Sequence, residues 1–180
     1  MDKNERKSKD TRMKKARRNG MLIRKTRTED FAEVMEIYAI ARKFMAGAGN
    51  PTQWGSVYPP EELIREDIEQ GISYVAEEDG EIEAVFMYFF GDDPTYHIIE
   101  DGNWKNNEPY GVIHRIASKG KIKGTGAKCL LWGYEQCGNL KIDTHEDNVV
   151  MQHVLEKNGF ERCGKIYTHD GTPRIAYQKC

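Results

Sequence analysis

The sequence predicts a single-domain α/β fold, and three observations carry that reading. Apolar residues recur at helical spacing in four separate stretches. Runs with a period of two lie between those stretches, as strands require. Residues 110–131, YGVIHRIASKGKIKGTGAKCLL, read as strand, glycine-rich loop and helix in immediate succession. At 180 residues the chain can bury an ordinary core as one domain.

Leu22 to Arg27 reads as a first, edge-type strand. Thr28 is the expected N-cap of a helix whose stripe is Phe31, Val34, Tyr38, Ala41 and Met45. The following stretch, AGAGNPTQWGSVYPP, is loop, because glycines and prolines interrupt any period. Pro60 opens a short helix carrying Leu63, Ile64 and Ile68, and Gly71 stops it. Two strands, ISYVAE and EIEAVFMYFF, join through Asp79-Gly80, a strong hairpin signal. Ile82, Ala84, Phe86 and Tyr88 are expected on one face of the second, with Val85, Met87 and Phe89 on the other. Residues 91–109 are polar with a short TYHII strand, and read as acceptor contacts rather than core.

In 110–117, Val112, His114 and Ile116 alternate with Ile113, Arg115 and Ala117. Ala127, Leu130, Leu131 and Tyr134 then mark a helix stopped by Gly138. Between them Gly120, Gly124 and Gly126 remove side chains, so backbone N–H groups at the helix N-terminus can converge on an anion. Lys119, Lys121, Lys123 and Lys128 add positive charge, so a phosphate or pyrophosphate is the natural ligand. No register supplies GxxxxGK[ST], and GxGxxG is met only at Gly124 and Gly126, with Cys129 at its third glycine and one βαβ unit visible, which leaves the dinucleotide reading weak. The pattern [Q/R]xxGx[G/A] is met at Gly124 and Gly126, with Lys121 in the first place. A solvated glycine-rich turn has the same appearance.

After this unit come a short strand, LKIDTHEDN, a helix, VVMQHVLEKNGF, and two strand-like runs separated by His169-Asp170-Gly171-Thr172. This order, with KIKGTGA, DTHEDN and NxxMxxxxEKxGF, resembles the GNAT superfamily of acyl-CoA N-acyltransferases over residues 21–180. NPTQW, YP and IHRIA resemble its bacterial small-molecule type. The resemblance implies a three-layer α/β/α fold around a central mixed, mostly antiparallel sheet of about six to seven strands. It implies acetyl-CoA as co-substrate, with the pyrophosphate on the backbone of Lys121, Ile122, Lys123, Gly124, Thr125, Gly126 and Ala127. The pantetheine arm is then expected to pair like an added strand with Ile116, Ala117 and Ser118. A backbone N–H near Ile116 or Ala117 would meet the oxyanion, and the strand at 139–143 would diverge from 110–117 to leave a slot. Asn148 is expected to contact CoA, although an N-cap role explains it equally well.

The chain departs from the family at the general acid. Many members place a tyrosine seven residues after that Asn, where this chain has Leu155. Tyr167 is the substitute candidate, and unassisted departure of the thiolate is the alternative. For the general base, His114 and His145 are both candidates, because imidazole titrates close to neutrality. Trp54, Tyr58 and Trp104 sit in loops, where aromatics usually line something. They are expected to form an acceptor pocket, with Glu100 or Asp101 pairing with an amine. The resulting expectation is transfer of an acetyl group to a primary amine of a small-molecule or amino-acid-like acceptor. A catalytically reduced CoA-binding module of the same fold is the alternative.

Charge is uneven. Residues 1–20 hold nine Lys/Arg against three Asp/Glu, and the remainder 18 against 26. The acidic domain argues against nucleic acid as substrate and suits a cationic acceptor. Residues 1–20 contain too few apolar groups to repay ordering and are expected to be a disordered basic extension. Neither a signal peptide nor an apolar run near the ~18 residues of a membrane span is present. Cys129, Cys137, Cys163 and Cys180 form no CxxC pair and read as reduced thiols of a cytoplasmic protein without a bound metal. A homodimer is compatible with all of this.

Overall fold

The computed structural model describes residues 20–180, so the basic extension lies, except for Gly20, outside the described residues. The strands are β1 (Leu22–Lys25), β2 (Ser73–Glu78), β3 (Glu81–Phe90), β4 (Gly111–Ser118), β5 (Leu140–Thr144), β6 (Glu161–Tyr167) and β7 (Pro173–Lys179). They form one sheet in the order β1-β2-β3-β4-β5-β7-β6. Among the described residues only β4 and β5 pair in parallel, as a crossover through a helix requires. The helices are α1 (Phe31–Gly47), α2 (Glu61–Glu69), α3 (Thr125–Cys137) and α4 (Val149–Lys157).

Apolar packing makes the three layers. Cys129 and Leu130 of α3 and Leu155 of α4 cover one sheet face, against Ala84, Phe86, Ile113, Leu140 and Ile142. On the other face, Val34, Ile37 and Tyr38 of α1 and Ile64 of α2 pack on Val75, Val85 and Ala117. The rest of that face is closed by the 91–110 segment, whose Tyr96 and Trp104 lie over Val112, Ile166 and Ala176. This segment is therefore partly core, and its TYHII run is no strand: Pro94–Tyr96 is a 3-10 turn. Pro94 fixes the helical φ there and has no N–H for a ladder.

Three local expectations are corrected. The first helix begins at Phe31 after a 3-10 turn. Asp30, rather than Thr28, closes that entry by accepting from the Arg27 N–H at 2.7 Å. In β3 the register shifts at Glu83, so Ile82 joins Val85 on the α1 face instead of following Ala84. In β4 the alternation breaks at Arg115, whose φ is +53°. Two residues, Arg115 and Ile116, there oppose the single Phe86, since Ala117 pairs with Val85 and His114 with Met87. The extra residue is a bulge, and it turns Ile116 onto the α3 face with Ile113.

The 91–110 segment is tied to the sheet at several points. Glu100 and Lys165 exchange both backbone hydrogen bonds at 2.8 Å. Asn139 and Gln178 hold Asn106 through side-chain amides. A Cβ on Gly102 would lie 2.0 Å from the Cys163 carbonyl oxygen, and the opposing atoms are all backbone. Gly102→Ala is therefore expected to destabilise the fold by about 3 kcal/mol or more in urea titration. Gly47→Ala, where a Cβ meets nothing within 4 Å, should stay within about 1 kcal/mol of wild type.

Candidate active site

β4 and β5 pair at Gly111–Leu140 and Val112–Lys141 and then part. From Ile113 onward, the edge of β4 that faces β5 has no strand partner among the described residues. The separation opens a cleft of about 1290 Å³, lined by Ile113 to Ser118 of β4 and Ile142 to Thr144 of β5. The N-terminus of α3, the face of α4, the 52–58 loop, the 92–95 and 168–170 turns, the C-terminal half of α1, α2, Met87 and Phe89 of β3 and Arg174 of β7 contribute further walls.

His114 lies in this cleft with its side chain 23 % exposed. Its Nε2 is 2.7 Å from Asp93 Oδ2, and its Nδ1 is 3.6 Å from Asp143 Oδ2. Burial alone would raise the Asp93 carboxyl, but hydrogen bonds from His114 and Thr95 outweigh burial and hold it at about 2. Asp93 is therefore an anion at neutral pH and accepts the Nε2 hydrogen, which assigns the free lone pair of neutral His114 to Nδ1. Asp143 also accepts from the Tyr96 hydroxyl at 2.7 Å. Burial, then the Asp143 charge, pushes that hydroxyl well above its ordinary value, so it remains a donor. A proton arriving at Nδ1 would find a carboxylate beside it.

The bulge is clamped from the α2 side. Arg115 Nε and Nη2 donate to Asp67 Oδ2 at 3.1 and 2.6 Å, and the Tyr38 hydroxyl donates to the Arg115 carbonyl at 3.1 Å. Burial raises the Asp67 carboxyl against the pull of the Arg115 guanidinium. A non-glycine residue at positive φ persists only where its surroundings hold it, and these three bonds do so.

At the other end of the cleft, Gly124, Gly126 and Ala127 begin α3. Gly124 adopts φ +81°, which favours glycine, and a Cβ at either glycine would meet no protein atom within 4 Å. The space above the helix N-terminus is open, and backbone N–H groups line it. Thr125 is buried and its hydroxyl donates to the Ile122 carbonyl, so it shapes the turn. Lys121 is 63 % exposed and 3.9 Å from Glu81, while Lys123 is exposed. Asn148 caps α4 by accepting from Met151 N–H at 3.1 Å and also donates to Gln53 Oε1 at 2.9 Å. Gln53 thus links the first loop to the α4 N-terminus across the cleft.

Trp54 and Tyr58 also line the cleft, with Trp54 packed edge-on against Tyr38 at 5.7 Å. Trp104 does not. Its Nε1 donates to the Tyr96 carbonyl at 2.9 Å, and its ring, with that of Tyr110, covers the buried Lys141 ammonium. His145 is likewise outside the lining: its Nδ1 accepts from the Asp147 N–H at 3.1 Å, within the turn before α4. Tyr167 points away and donates to Glu100 Oε2 at 2.8 Å, and Asp101 pairs with Lys165 at 3.0 Å. Leu155 is fully buried in the core. Sequence reasoning missed Asp93, although Asp-Pro-Thr carries a turn signal: its Oδ1 accepts from both N–H and hydroxyl of Thr95.

The site is thus a mixed sheet whose one parallel pair among the described residues parts beside a glycine-lined helix N-terminus. The sequence is 36 % identical to the crystal structure of a GNAT-family acetyltransferase from Streptococcus agalactiae 2603, with TM-score 0.80 over 89 % of this chain and 95 % of that one. The chain belongs to the GNAT family of acetyltransferases. The same fold recurs in a GNAT-family acetyltransferase from Listeria monocytogenes 4b F2365, at 19 % identity and TM-score 0.64 over 88 % and 94 % of the chains. A ribosomal-protein-alanine N-acetyltransferase from Brucella melitensis shares it at 17 % identity and TM-score 0.61 over 88 % and 98 %. No family model and no curated protein matches the sequence. Among the described residues no helix is long and apolar enough to cross a membrane.

Proposed function

We propose that the protein transfers an acetyl group from acetyl-CoA to a primary amine of a small-molecule or amino-acid-like acceptor, by direct attack in a ternary complex. The observation that supports this most is the placement of His114, oriented by Asp93, in the same cleft that ends at the open N-terminus of α3. Acetyl-CoA, as co-substrate, supplies an activated acyl group. The backbone from Lys121 to Ala127 holds its diphosphate, the unpaired edge of β4 at Ile116 to Ser118 pairs with its pantetheine arm, and Asn148 borders it. His114 Nδ1 takes the proton of the attacking amine, and Asp143 stabilises the resulting imidazolium. A backbone N–H at Ile116 or Ala117 faces the carbonyl oxygen as it gains charge. Trp54 and Tyr58 form the apolar wall of the acceptor end, and the acids around it favour a cation. The protein acts without a metal, in the cytoplasm.

A second reading, a CoA-binding module with reduced catalysis, is favoured by one observation: Leu155 is buried and Tyr167 faces away, so neither supplies a proton. The two readings separate in a turnover assay with acetyl-CoA and a panel of free amino acids, polyamines and peptide N-termini. Turnover is expected, with kcat/KM rising along a single limb towards high pH, because a base and a free amine are needed and no tyrosine acid is in place. CoA binding with no turnover across the panel would leave the binding module standing. A bell-shaped profile would show that an acid acts after all.

A further inference from the structure

One hydroxyl on the cleft wall has nothing to bond to. Thr144 ends β5, is 1 % exposed and lines the cleft, and its Oγ1 has no hydrogen-bond partner among the described residues. A buried hydroxyl left unpaired is costly, so its presence asks what completes it. Of the other hydroxyls on the same wall, Ser118 is only half-buried and keeps access to solvent, and the rest are spent or exposed. Thr95 and Thr168 donate to Asp93 and Asp170, and Thr52 and Tyr58 are exposed.

Its position says what it can reach. Leu140 and Ile142 of β5 pack with α3 and α4, and a period of two puts Thr144 on that same face. Asp143 points the opposite way, towards Tyr96 and His114. Where β5 has parted from β4, consecutive residues therefore serve the two sides of the cleft. Asp143 serves the base, and Thr144 serves the side on which the α3 N-terminus is open.

We propose that the Thr144 hydroxyl donates a hydrogen bond to the CoA sulfur and stabilises it as the leaving thiolate. This rests on the CoA-dependent reading above. The carbonyl oxygen is expected on the β4 side, at the N–H groups past the bulge; of the two remaining substituents of that carbon, the methyl group and the sulfur, the sulfur is placed towards β5. The amine nitrogen bonds to the acetyl carbon and yields its proton to His114 Nδ1. The C–S bond breaks with its electron pair on sulfur. Thr144 keeps its own hydrogen throughout, shared with sulfur, and the proton held by His114 returns to the thiolate through solvent.

The test needs no acceptor. The full chain and its Thr144→Val and Thr144→Ser variants are loaded with CoA, and the bound thiol is titrated by its thiolate absorbance. Desulfo-CoA serves as the sulfur-free probe. The charged and titratable groups of the cleft are the same in all three proteins, namely His114 and Arg115 of β4, Asp143 of β5, Arg174 of β7, His153 and Lys157 of α4, Glu66 and Asp67 of α2, and Tyr58, Asp92, Asp93, His169 and Asp170 of the loops, so a difference reports the hydroxyl. The bound thiol is expected to titrate at least about one unit higher in Thr144→Val, a tenfold loss of thiolate at a given pH, while Thr144→Ser resembles wild type. Desulfo-CoA should bind all three equally, and Thr144→Val should melt no lower than wild type. Equal thiol titration in wild type and Thr144→Val overturns the proposal while leaving CoA binding intact. A lower melting temperature for Thr144→Val marks the hydroxyl as structural and overturns it as well. If wild type binds neither CoA nor desulfo-CoA, the CoA-dependent reading itself falls and takes the proposal with it.

Discussion

His114→Gln is expected to lower kcat by about 10²–10³-fold while leaving CoA affinity within about twofold of wild type, because it removes the proton acceptor and nothing else. Glutamine is the better probe than alanine. Its amide can still donate to Asp93 Oδ2, which would otherwise lose its partner and leave the buried carboxylate with the Thr95 bonds at Oδ1 alone. The pH profile adds a readout that packing damage would not produce. Activity requires neutral His114, so it rises with pH as the imidazole loses its proton, and in the variant only the limb of the acceptor amine should remain. Asp93→Asn should fall between the two. It keeps a group in place but no longer fixes the Nε2–H tautomer, so kcat drops while KM for acetyl-CoA holds. His145→Ala, in the turn before α4, should leave kcat alone and lose only the bond to Asp147 N–H. A His114→Gln enzyme with wild-type kcat would remove the histidine from the chemistry.

Much of this architecture could be read from the chain because local signals agreed with the global fold. Asp79-Gly80, Gly138 and Gly159 end their elements where a turn needs them, and each has positive φ. The parting of β4 from β5 followed from the family resemblance alone, since no residue pattern announces where two strands stop pairing. The bulge at Arg115 was illegible. A positive φ on arginine has no propensity to betray it, and the Asp67 and Tyr38 contacts that hold it come from 48 and 77 residues away. The alternation held as far as His114, which shares the Val112 side, and failed just past it, where the bulge turns Ile116 and Ala117 to the faces opposite those expected. Loop aromatics were ambiguous for a different reason. Trp54 and Trp104 have similar neighbourhoods in sequence, yet one lines the cleft and the other roofs a buried lysine. Nothing local says which way a loop side chain turns. Tyr167 and His145 were attractive by chemistry, and each is already hydrogen-bonded outside the cleft.

The cofactor end is tested most cleanly at Gly126. Gly124 has φ +81°, so Gly124→Val strains the backbone and its failure to bind CoA would be open to two explanations. Gly126 lies within α3, has no positive φ, and a Cβ built there meets no protein atom within 4 Å. Nothing in the protein needs glycine at this position, and valine is the better helix residue. Gly126→Val should therefore fold and melt at or above the wild-type temperature. If the diphosphate rests on the N–H groups of this first turn, the valine side chain occupies its path. Displacing it from two charge-assisted hydrogen bonds should weaken CoA by at least about 10²-fold, or about 3 kcal/mol. Lys121→Ala, by contrast, removes an exposed charge and should cost less than about tenfold. Calorimetric titration of CoA against the three proteins separates a backbone cradle from a lysine patch. A lysine patch would reverse the order, with Lys121→Ala the weak binder and Gly126→Val indistinguishable from wild type.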